Sequence, residues 1–233
     1  MEINMKKIST AFLLLFIFLT LPVGMSSVSE TDSGIFYSIE NGEVTVEGFN
    51  YAGNIMDIPE TIEELPVRYI ADQACRGNEA IIELRIPSSV VSVGEFAFAE
   101  CKNLLKVEFS GGTEDIGYSA FRDSASLRTV TLSDTLVSIG DYAFYGCIML
   151  GKLSIPASVS NIGIDAFVGC SELRLDVENN EIAAEYAERY SIPTDFSSSW
   201  THTVLLLFIV TALLAGVFFT VDKLLLKKRK YEK

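Results

Sequence analysis

The segments SIGDYAFYGC (Ser138–Cys147) and NIGIDAFVGC (Asn161–Cys170) are nearly identical and begin 23 residues apart. The same spacing continues without a gap from Ile86 to Leu173. It aligns a β-branched residue followed by glycine, an Ala-Phe pair, a small cysteine or serine, and a leucine. A fixed period of this length indicates a solenoid of stacked repeats. The aligned residues are Val93, Ile116, Ile139 and Ile162; Ala97-Phe98, Ala120-Phe121, Ala143-Phe144 and Ala166-Phe167; Cys101, Ser124, Cys147 and Cys170; and Leu104, Leu127, Leu150 and Leu173.

Each unit contains one predicted strand. The segment LLKVEF (Leu104–Phe109) has the L-x-x-L-x-L pattern, and LRTVTL (Leu127–Leu132) and LGKLSI (Leu150–Ile155) repeat it with the pattern residues inward. We expect the glycine of each unit to turn the chain through a positive φ, which glycine adopts freely. The Ala-Phe pair predicts a short helical turn with its phenylalanine inside. An irregular earlier unit around Ile70 has Cys75 in place of phenylalanine, so the sequence predicts five units.

A single unit cannot hold this shape alone. The burial of its few inward side chains is worth less than the backbone entropy lost when the unit becomes ordered. Neighbouring units must cover its faces and complete the hydrogen bonds of its strand. The predicted fold class is therefore an α/β solenoid, a short leucine-rich repeat stack of 23-residue units.

The front of such a stack needs a cover, because an open end exposes apolar side chains and unpaired strand edges. Asn41-Gly42 separates two alternating runs within Phe36–Phe49. Asn-Gly is the strongest short signal for a hairpin, since its turn needs two positive φ angles. The sequence predicts an N-terminal β-hairpin cap.

The back of the stack needs a cover as well. Within the segment NNEIAAEYAERY, Ile182, Tyr186 and Tyr190 recur every four residues and share one helix face. Asn179 or Asn180 is a suitable N-cap. The sequence predicts a C-terminal helix cap that covers the last unit.

The N-terminus has the pattern of a signal peptide. Lys6 and Lys7 precede a short apolar run, Ile8–Leu21, and small residues follow it as a signal peptidase requires. We predict cleavage near Ser26–Ser27. An uncleaved anchor helix is the alternative.

The C-terminus predicts one transmembrane helix. Thr203–Val221 has no charge over 19 residues, which as a helix is about 28 Å, close to the roughly 30 Å hydrocarbon core. Basic residues follow in Asp222–Lys233, and such residues stay on the cytoplasmic side. We therefore predict a cell-membrane protein with an extracellular repeat domain and a short cytoplasmic tail; a buried core helix is the alternative. The predicted segments are a signal peptide over 1–26, the hairpin cap over 27–57, the repeats over 58–178, the helical cap over 179–196, a linker over 197–202, the transmembrane helix over 203–221 and a basic tail over 222–233.

The motifs in Ile86–Phe109 and Ile155–Leu173 resemble those of the BspA-like leucine-rich repeat family. The joined Ile-Gly, Ala-Phe, Cys and Leu positions carry the resemblance, which spans roughly Phe36 to Phe196. Cys75 in the first unit and the segment FSGGTEDIG, which lacks Ile-Pro, depart from the pattern. The resemblance implies a surface protein of the kind found in bacteria and some protozoa, often implicated in adhesion to host matrix or to other cells.

Charge and motif content argue against several function classes. The net charge of −13 argues against a nucleic-acid partner, which needs a basic face. The single histidine, His202, lies at the predicted membrane edge, so no Ser-His-Asp or Cys-His set is available. Neither a C-x-x-C zinc pair, a calcium-binding loop nor a phosphate-binding glycine loop is present. We expect no enzymatic activity, cofactor or metal.

The four cysteines, Cys75, Cys101, Cys147 and Cys170, leave a disulfide open. Cys147 and Cys170 lie one unit apart, about 5 Å by strand spacing, which fits the Cα separation of a disulfide. Parallel stacking nevertheless keeps their Cβ atoms further apart than a disulfide prefers, about 3.8 Å. Because Ser124 occupies the same position, we favour buried free thiols that act as small apolar side chains.

The outward residues of successive strands are the candidate partner-binding positions. Parallel units place them in two adjacent columns on an open sheet, the kind of surface on which repeat proteins bind. The alternative is that they only keep the sheet soluble. These residues, called the outer strip below, are Glu83, Arg85, Lys106, Glu108, Thr129, Thr131, Lys152 and Ser154.

These observations favour a non-catalytic cell-surface binding or adhesion protein whose repeat domain meets a protein or glycan ligand. The alternative is a structural subunit of a membrane complex that docks through the stack or through the transmembrane helix. Ala212 and Gly216, four residues apart, give that helix a weak small-residue patch for such docking.

Overall fold

The computed structural model describes residues 27–50 and 53–195. In that part of the chain, no helix has the length and apolar character that a membrane span needs. The predicted signal peptide (1–26), linker (197–202), transmembrane helix (203–221) and basic tail (222–233) lie outside the described residues.

The described residues are mostly strands and turns. In chain order the elements are β1 (Ser29–Glu30), β2 (Ile35–Glu40), β3 (Glu43–Phe49), β4 (Ile55–Asp57), β5 (Thr61–Ile62), β6 (Leu65–Ile70), β7 (Glu83–Ile86), β8 (Ser92–Val93), β9 (Lys106–Phe109), β10 (Asp115–Ile116), β11 (Thr129–Thr131), β12 (Ser138–Ile139), β13 (Lys152–Ser154), β14 (Asn161–Ile162), β15 (Arg174–Asp176), the helix α1 (Glu181–Tyr190) and β16 (Thr194–Asp195).

Each regular unit contributes two strands, where the sequence predicted one. The predicted strands are β7, β9, β11 and β13, and the pattern residues Leu104, Val107 and Phe109 are buried as expected. The additional strands, β8, β10, β12 and β14, have two residues each and pair in parallel. Asp115 lies opposite Ser92 on one side and Ser138 on the other, so consecutive units are in register.

The strands form three sheets. The long sheet has the order β1-β2-β3-β6-β8-β10-β12-β14, with β5 beside β6. The front sheet has the order β11-β9-β7-β4, and the rear sheet has the order β13-β15-β16. The core lies between the long sheet and the other two.

A column of stacked phenylalanine rings runs through this core. The rings of Phe98 and Phe121 lie 5.5 Å apart, those of Phe121 and Phe144 5.2 Å, and those of Phe144 and Phe167 5.4 Å. The interplanar angles are 11°, 5° and 7°, and all four side chains are buried. The predicted interior phenylalanine of each unit is confirmed.

The recurring glycines act by close approach rather than by turning the chain. The prediction of a positive φ at Gly94, Gly117, Gly140 and Gly163 is wrong, because positive φ occurs at other residues. A Cβ on Gly140 would lie 2.7 Å from the carbonyl carbon of Gly117, a separation that Cβ atoms do not tolerate. Each glycine therefore lets its backbone rest directly on the unit before it.

The Ala-Phe segments are turns, and the predicted helical turns are wrong. Each is flanked by two residues with φ between 53° and 86°, a region that most side chains avoid. Backbone hydrogen bonds between units hold these turns, as in Phe96 N–H to Tyr118 O at 3.0 Å and Phe121 N–H to Ala143 O at 2.8 Å. The fold class is therefore corrected from an α/β solenoid to a β-solenoid of leucine-rich repeats. The flanking residues are Phe96, Ser119, Tyr142 and Asp165 before the turn and Glu100, Asp123, Gly146 and Gly169 after it, and Gln73 and Gly77 flank the equivalent Ala74-Cys75 turn of the irregular unit.

The column of small residues supplies hydrogen-bond donors. Ser124 Oγ donates to Phe98 O at 2.9 Å and Cys147 Sγ donates to Phe121 O at 3.2 Å. Cys101 and Cys170 make the same contact one unit earlier and later, and all four cysteines are free. Burial raises the pKa of the Cys170 thiol to about 12, which keeps its donor proton in place.

The front of the stack continues into a hairpin. Strands β2 and β3 pair in antiparallel register, and Asn41 and Gly42 between them both have positive φ. Strand β3 then pairs in parallel with β6, so the hairpin extends the long sheet.

The back of the stack lies against α1. Asn180 is the N-cap, and its side chain accepts a hydrogen bond from Ala183 N–H at 2.8 Å. The ring of Tyr186 meets that of Phe167 at 5.8 Å, edge to face. Ile182 was predicted to face inward and is 40% exposed, because the buried face of α1 instead contains Ala183, Tyr186 and Ala187.

We predict that Gly140→Ala lowers the free energy of unfolding by about 1–3 kcal/mol, since the new methyl group must push two backbones apart. Gly151→Ala is the matched control, because its Cβ would have its nearest contact at 3.6 Å, with Arg128 O. That change should stay within about 1 kcal/mol of the wild type. Urea unfolding of the full-length chain measures both, and equal losses would contradict the close-approach role.

We also predict that Ser124→Ala lowers the free energy of unfolding by about 1–3 kcal/mol, because it leaves the buried Phe98 carbonyl without its side-chain donor. Ser124→Cys should be tolerated better, since the other units place a thiol there. If Ser124→Cys unfolds as easily as Ser124→Ala, the column does not act through hydrogen bonding.

Candidate functional site

The outer strip lies on the front sheet and at the start of the rear sheet. Glu83 lies opposite Lys106, which lies opposite Thr129, and Arg85, Glu108 and Thr131 form the second column. The strip residues of β7, β9 and β11 therefore form two columns in the predicted register.

The two columns extend further than the sequence indicated. At the front, β4 places Ile55 beside Glu83 and Asp57 beside Arg85. At the rear, β15 places Arg174 beside Lys152 and Asp176 beside Ser154, and β16 adds Asp195. The repeat pattern missed these residues because they belong to units that depart from the regular period.

Most charges of the strip are paired within the strip. Lys106 Nζ lies 2.9 Å from Glu108 Oε2, and Arg85 Nη2 lies 3.7 Å from Glu83 Oε2. Exposed pairs of this kind contribute little stability, about 0–1 kcal/mol. They do hold the charged groups of the strip to one another.

The rear end of the strip has a denser charge network. The Arg174 guanidinium lies 2.8 Å from Asp195 Oδ1, and Lys152 Nζ lies 3.4 Å from Asp176 Oδ2 and 3.5 Å from Asp195 Oδ2. The hydrogen bond from Arg174 lowers the pKa of Asp195, and the hydrogen bond to Asp176 raises the pKa of Lys152. The network therefore favours the charged form of both groups.

A cleft opens where the ladder of parallel strands is interrupted. Strand β11 pairs only with β9, and β13 pairs only with β15, so the front and rear sheets separate between them. The cleft has a volume of about 410 Å³. Thr131 and Ser154 supply hydroxyl groups, and the partly buried Leu132 supplies an apolar surface. Its full lining is Val130, Thr131, Leu132, Asp134, Lys152, Ser154, Ile155 and Pro156.

The sequence did not predict this interruption. Glycine at position 151 replaces the arginine found at the equivalent position 128 of the preceding unit. This change leaves the strand pattern of the sequence intact, so the pattern does not reveal the interruption. Thr131 and Ser154 were both predicted strip residues, and the structure adds that they line the same cleft.

Two further cavities lie beside α1. One, of about 300 Å³, includes Phe167, Cys170 and Tyr190 in its lining, and the other, of about 360 Å³, includes Glu181 and Glu188. Among residues 27–50 and 53–195, no group of three or more histidine, cysteine, aspartate or glutamate side chains is placed to hold a metal ion.

The family model for the BspA type leucine rich repeat region matches residues 68–187 with six copies. The chain belongs to this family. No curated protein matches it. Proteins of the leucine-rich repeat family are in general non-catalytic.

Solved structures of bacterial leucine-rich repeat proteins share the fold. The T. pallidum protein TpLRR is 27% identical with a TM-score of 0.58, and the match covers 67% of this chain and 70% of that one. A Bacteroides ovatus leucine-rich repeat protein is 30% identical with a TM-score of 0.53, and the match covers 67% of this chain and 40% of that one.

We predict that Arg174→Gln raises the pKa of Asp195 toward its ordinary value, because the strongest hydrogen bond to the carboxylate is lost. In the wild type the pKa of Asp195 is lowered, so this ion pair persists at higher pH and is lost as the pH falls through that pKa. NMR titration of the carboxyl group measures the change. Arg189→Gln is the control, because Arg189 lies on α1 and is not one of the charges that lower the pKa of Asp195. An unchanged titration in Arg174→Gln would contradict the assignment.

Proposed function

We propose that the protein is a non-catalytic cell-surface binding protein and that its repeat stack meets a protein or glycan ligand through the outer strip. Family membership and the exposed front sheet support this proposal. The observation that carries it is the cleft between β11 and β13, which lies within the strip.

The chemistry of the cleft suits a ligand rich in hydroxyl or amide groups. Strands β11 and β13 are not paired with each other, and the hydroxyl groups of Thr131 and Ser154 line the cleft between them. Thr129 and Thr131 are exposed and uncharged, while the neighbouring charges of the strip are already paired. Binding at the cleft therefore relies on hydrogen bonds and an apolar contact with Leu132 more than on net charge.

Display at the surface completes the proposal. The signal peptide over 1–26 directs export, and the helix over 203–221 anchors the chain in the cell membrane with the repeats outside and the tail inside. The hairpin β2–β3 and the helix α1 act as the two caps of the stack. Protease treatment of intact cells tests this arrangement, since the repeats should be cleaved while an epitope at the C-terminus stays protected.

The binding proposal predicts that Thr131→Arg weakens adhesion of the full-length protein to immobilised matrix proteins or glycans, because the long cation fills the cleft. Ser160→Arg is the matched control, since it adds the same charge at an exposed residue adjoining the long sheet. The expected loss is about tenfold or more in affinity, the cost of blocking a central contact. Equal binding by both variants would mean that the cleft is not the binding site. If the wild-type protein binds neither matrix proteins nor glycans, the proposed binding function is wrong.

A further inference from the structure

An aromatic ridge lies on the side of the solenoid that the Ala-Phe turns form, called the turn wall below, away from the outer strip. It consists of Phe96, Tyr118, Tyr142 and Tyr145. The rings of Phe96 and Tyr118 lie 5.3 Å apart, those of Tyr118 and Tyr142 5.7 Å, and those of Tyr142 and Tyr145 5.9 Å, each pair edge to face. None of these side chains belongs to the apolar core, and Tyr118 is 37% exposed.

Arginines already lie against three of the four rings. The guanidinium of Arg76 is 5.2 Å from the centre of Phe96, and that of Arg122 is 4.7 Å from Tyr145 and 5.8 Å from Tyr142. Positive groups are attracted to the faces of aromatic rings. Within the described residues, Tyr118 is the member of the ridge that has no arginine over it.

Acidic residues occupy the position of Tyr118 in the two neighbouring units of the stack. The backbone bonds from Phe96 N–H to Tyr118 O and from Ser119 N–H to Asp141 O fix the register of the turn wall. In that register Glu95 and Asp141 occupy the position of Tyr118 in the preceding and following units. Glu95 is exposed, and Asp141 uses Oδ1 to accept a hydrogen bond from Ile164 N–H at 2.7 Å.

The two arginines do not neutralise these carboxylates. Arg76 pairs with Glu100 at 2.6 Å, and Arg122 pairs with Asp123 at 3.2 Å. An exposed ring between two acidic positions, on a chain with a net charge of −13, is complementary to a positive group.

We propose that the aromatic ridge is a second interaction surface, which binds a basic segment of a partner protein by receiving an arginine or lysine side chain over Tyr118 between Glu95 and Asp141. Tyrosine and arginine are enriched among the residues that dominate protein interfaces. This surface lies on a different wall from the cleft, so it does not depend on a ligand in the outer strip.

The test measures the affinity of the full-length protein for an oligoarginine peptide, with an uncharged glycine-serine peptide as the blank. Tyr118→Leu should lower the affinity about three- to tenfold, the range of an exposed to partly desolvated cation–π contact. Tyr118→Phe keeps the ring and should stay within about twofold. Tyr69→Leu is the matched control, because Tyr69 is 39% exposed on β6 and its loss leaves the ridge intact.

A second variant tests the carboxylate. Glu95→Gln should lower the affinity for oligoarginine about two- to fivefold, as expected for an exposed ion pair, and should make the affinity less sensitive to salt. Circular dichroism melting of each variant separates a loss of binding from a loss of folding.

Three outcomes would overturn the proposal. If Tyr118→Leu leaves the oligoarginine affinity unchanged, the peptide binds to other acidic parts of the protein surface and not to the ridge. An equal loss in Tyr69→Leu would remove the specificity of the ridge. Binding of a neutral glycan that depends on Tyr118, with oligoarginine binding unaffected, would assign the ridge to a different class of ligand.

Discussion

The in-register contact between neighbouring units is the constraint on which the rest of the structure depends. Core phenylalanine rings lie 5.2–5.5 Å apart and nearly parallel, which requires that each unit repeat the one before it at the same height. Glycines let the backbones meet at that spacing, and the cysteine or serine of each unit donates to a carbonyl of the preceding unit. A single unit has neither partner, so stability arises only from the stack.

The same register organises the surface. A residue that points outward in one unit lies beside its counterpart 23 residues later, as Asn161 Nδ2 and Ser138 Oγ do at 3.1 Å. Columns of non-core positions therefore become continuous strips. On the front sheet these strips contain charges that pair with one another, and on the turn wall they contain aromatic rings in contact, with acidic residues at neighbouring positions.

The period of the sequence was sufficient for features that depend on spacing alone. It predicted the phenylalanine column, the inward residues of β9 and the two columns of the outer strip, since all three follow from placing each unit on the next. It did not predict the two-residue strands of the long sheet, which are too short to show alternation. The role of Gly140 was also misjudged, because a close approach to Gly117 is a property of two units and not of one. The separation of β11 from β13 and the exposure of Ile182 depend on local packing that a repeat pattern does not record.

Removal of one whole unit tests the stacking register most directly. In a full-length chain that lacks residues 118–140, Gly117 is followed directly by Asp141. Gly117 is the counterpart of Gly140, which precedes Asp141 in the wild type, so the repeat continues in register across the junction. Thermal unfolding followed by circular dichroism should show one cooperative transition at a lower temperature than the wild type. A chain that lacks one residue fewer should lose that transition, because every later ring, glycine and donor moves out of its column. Equal cooperativity in the two shortened chains would contradict the account.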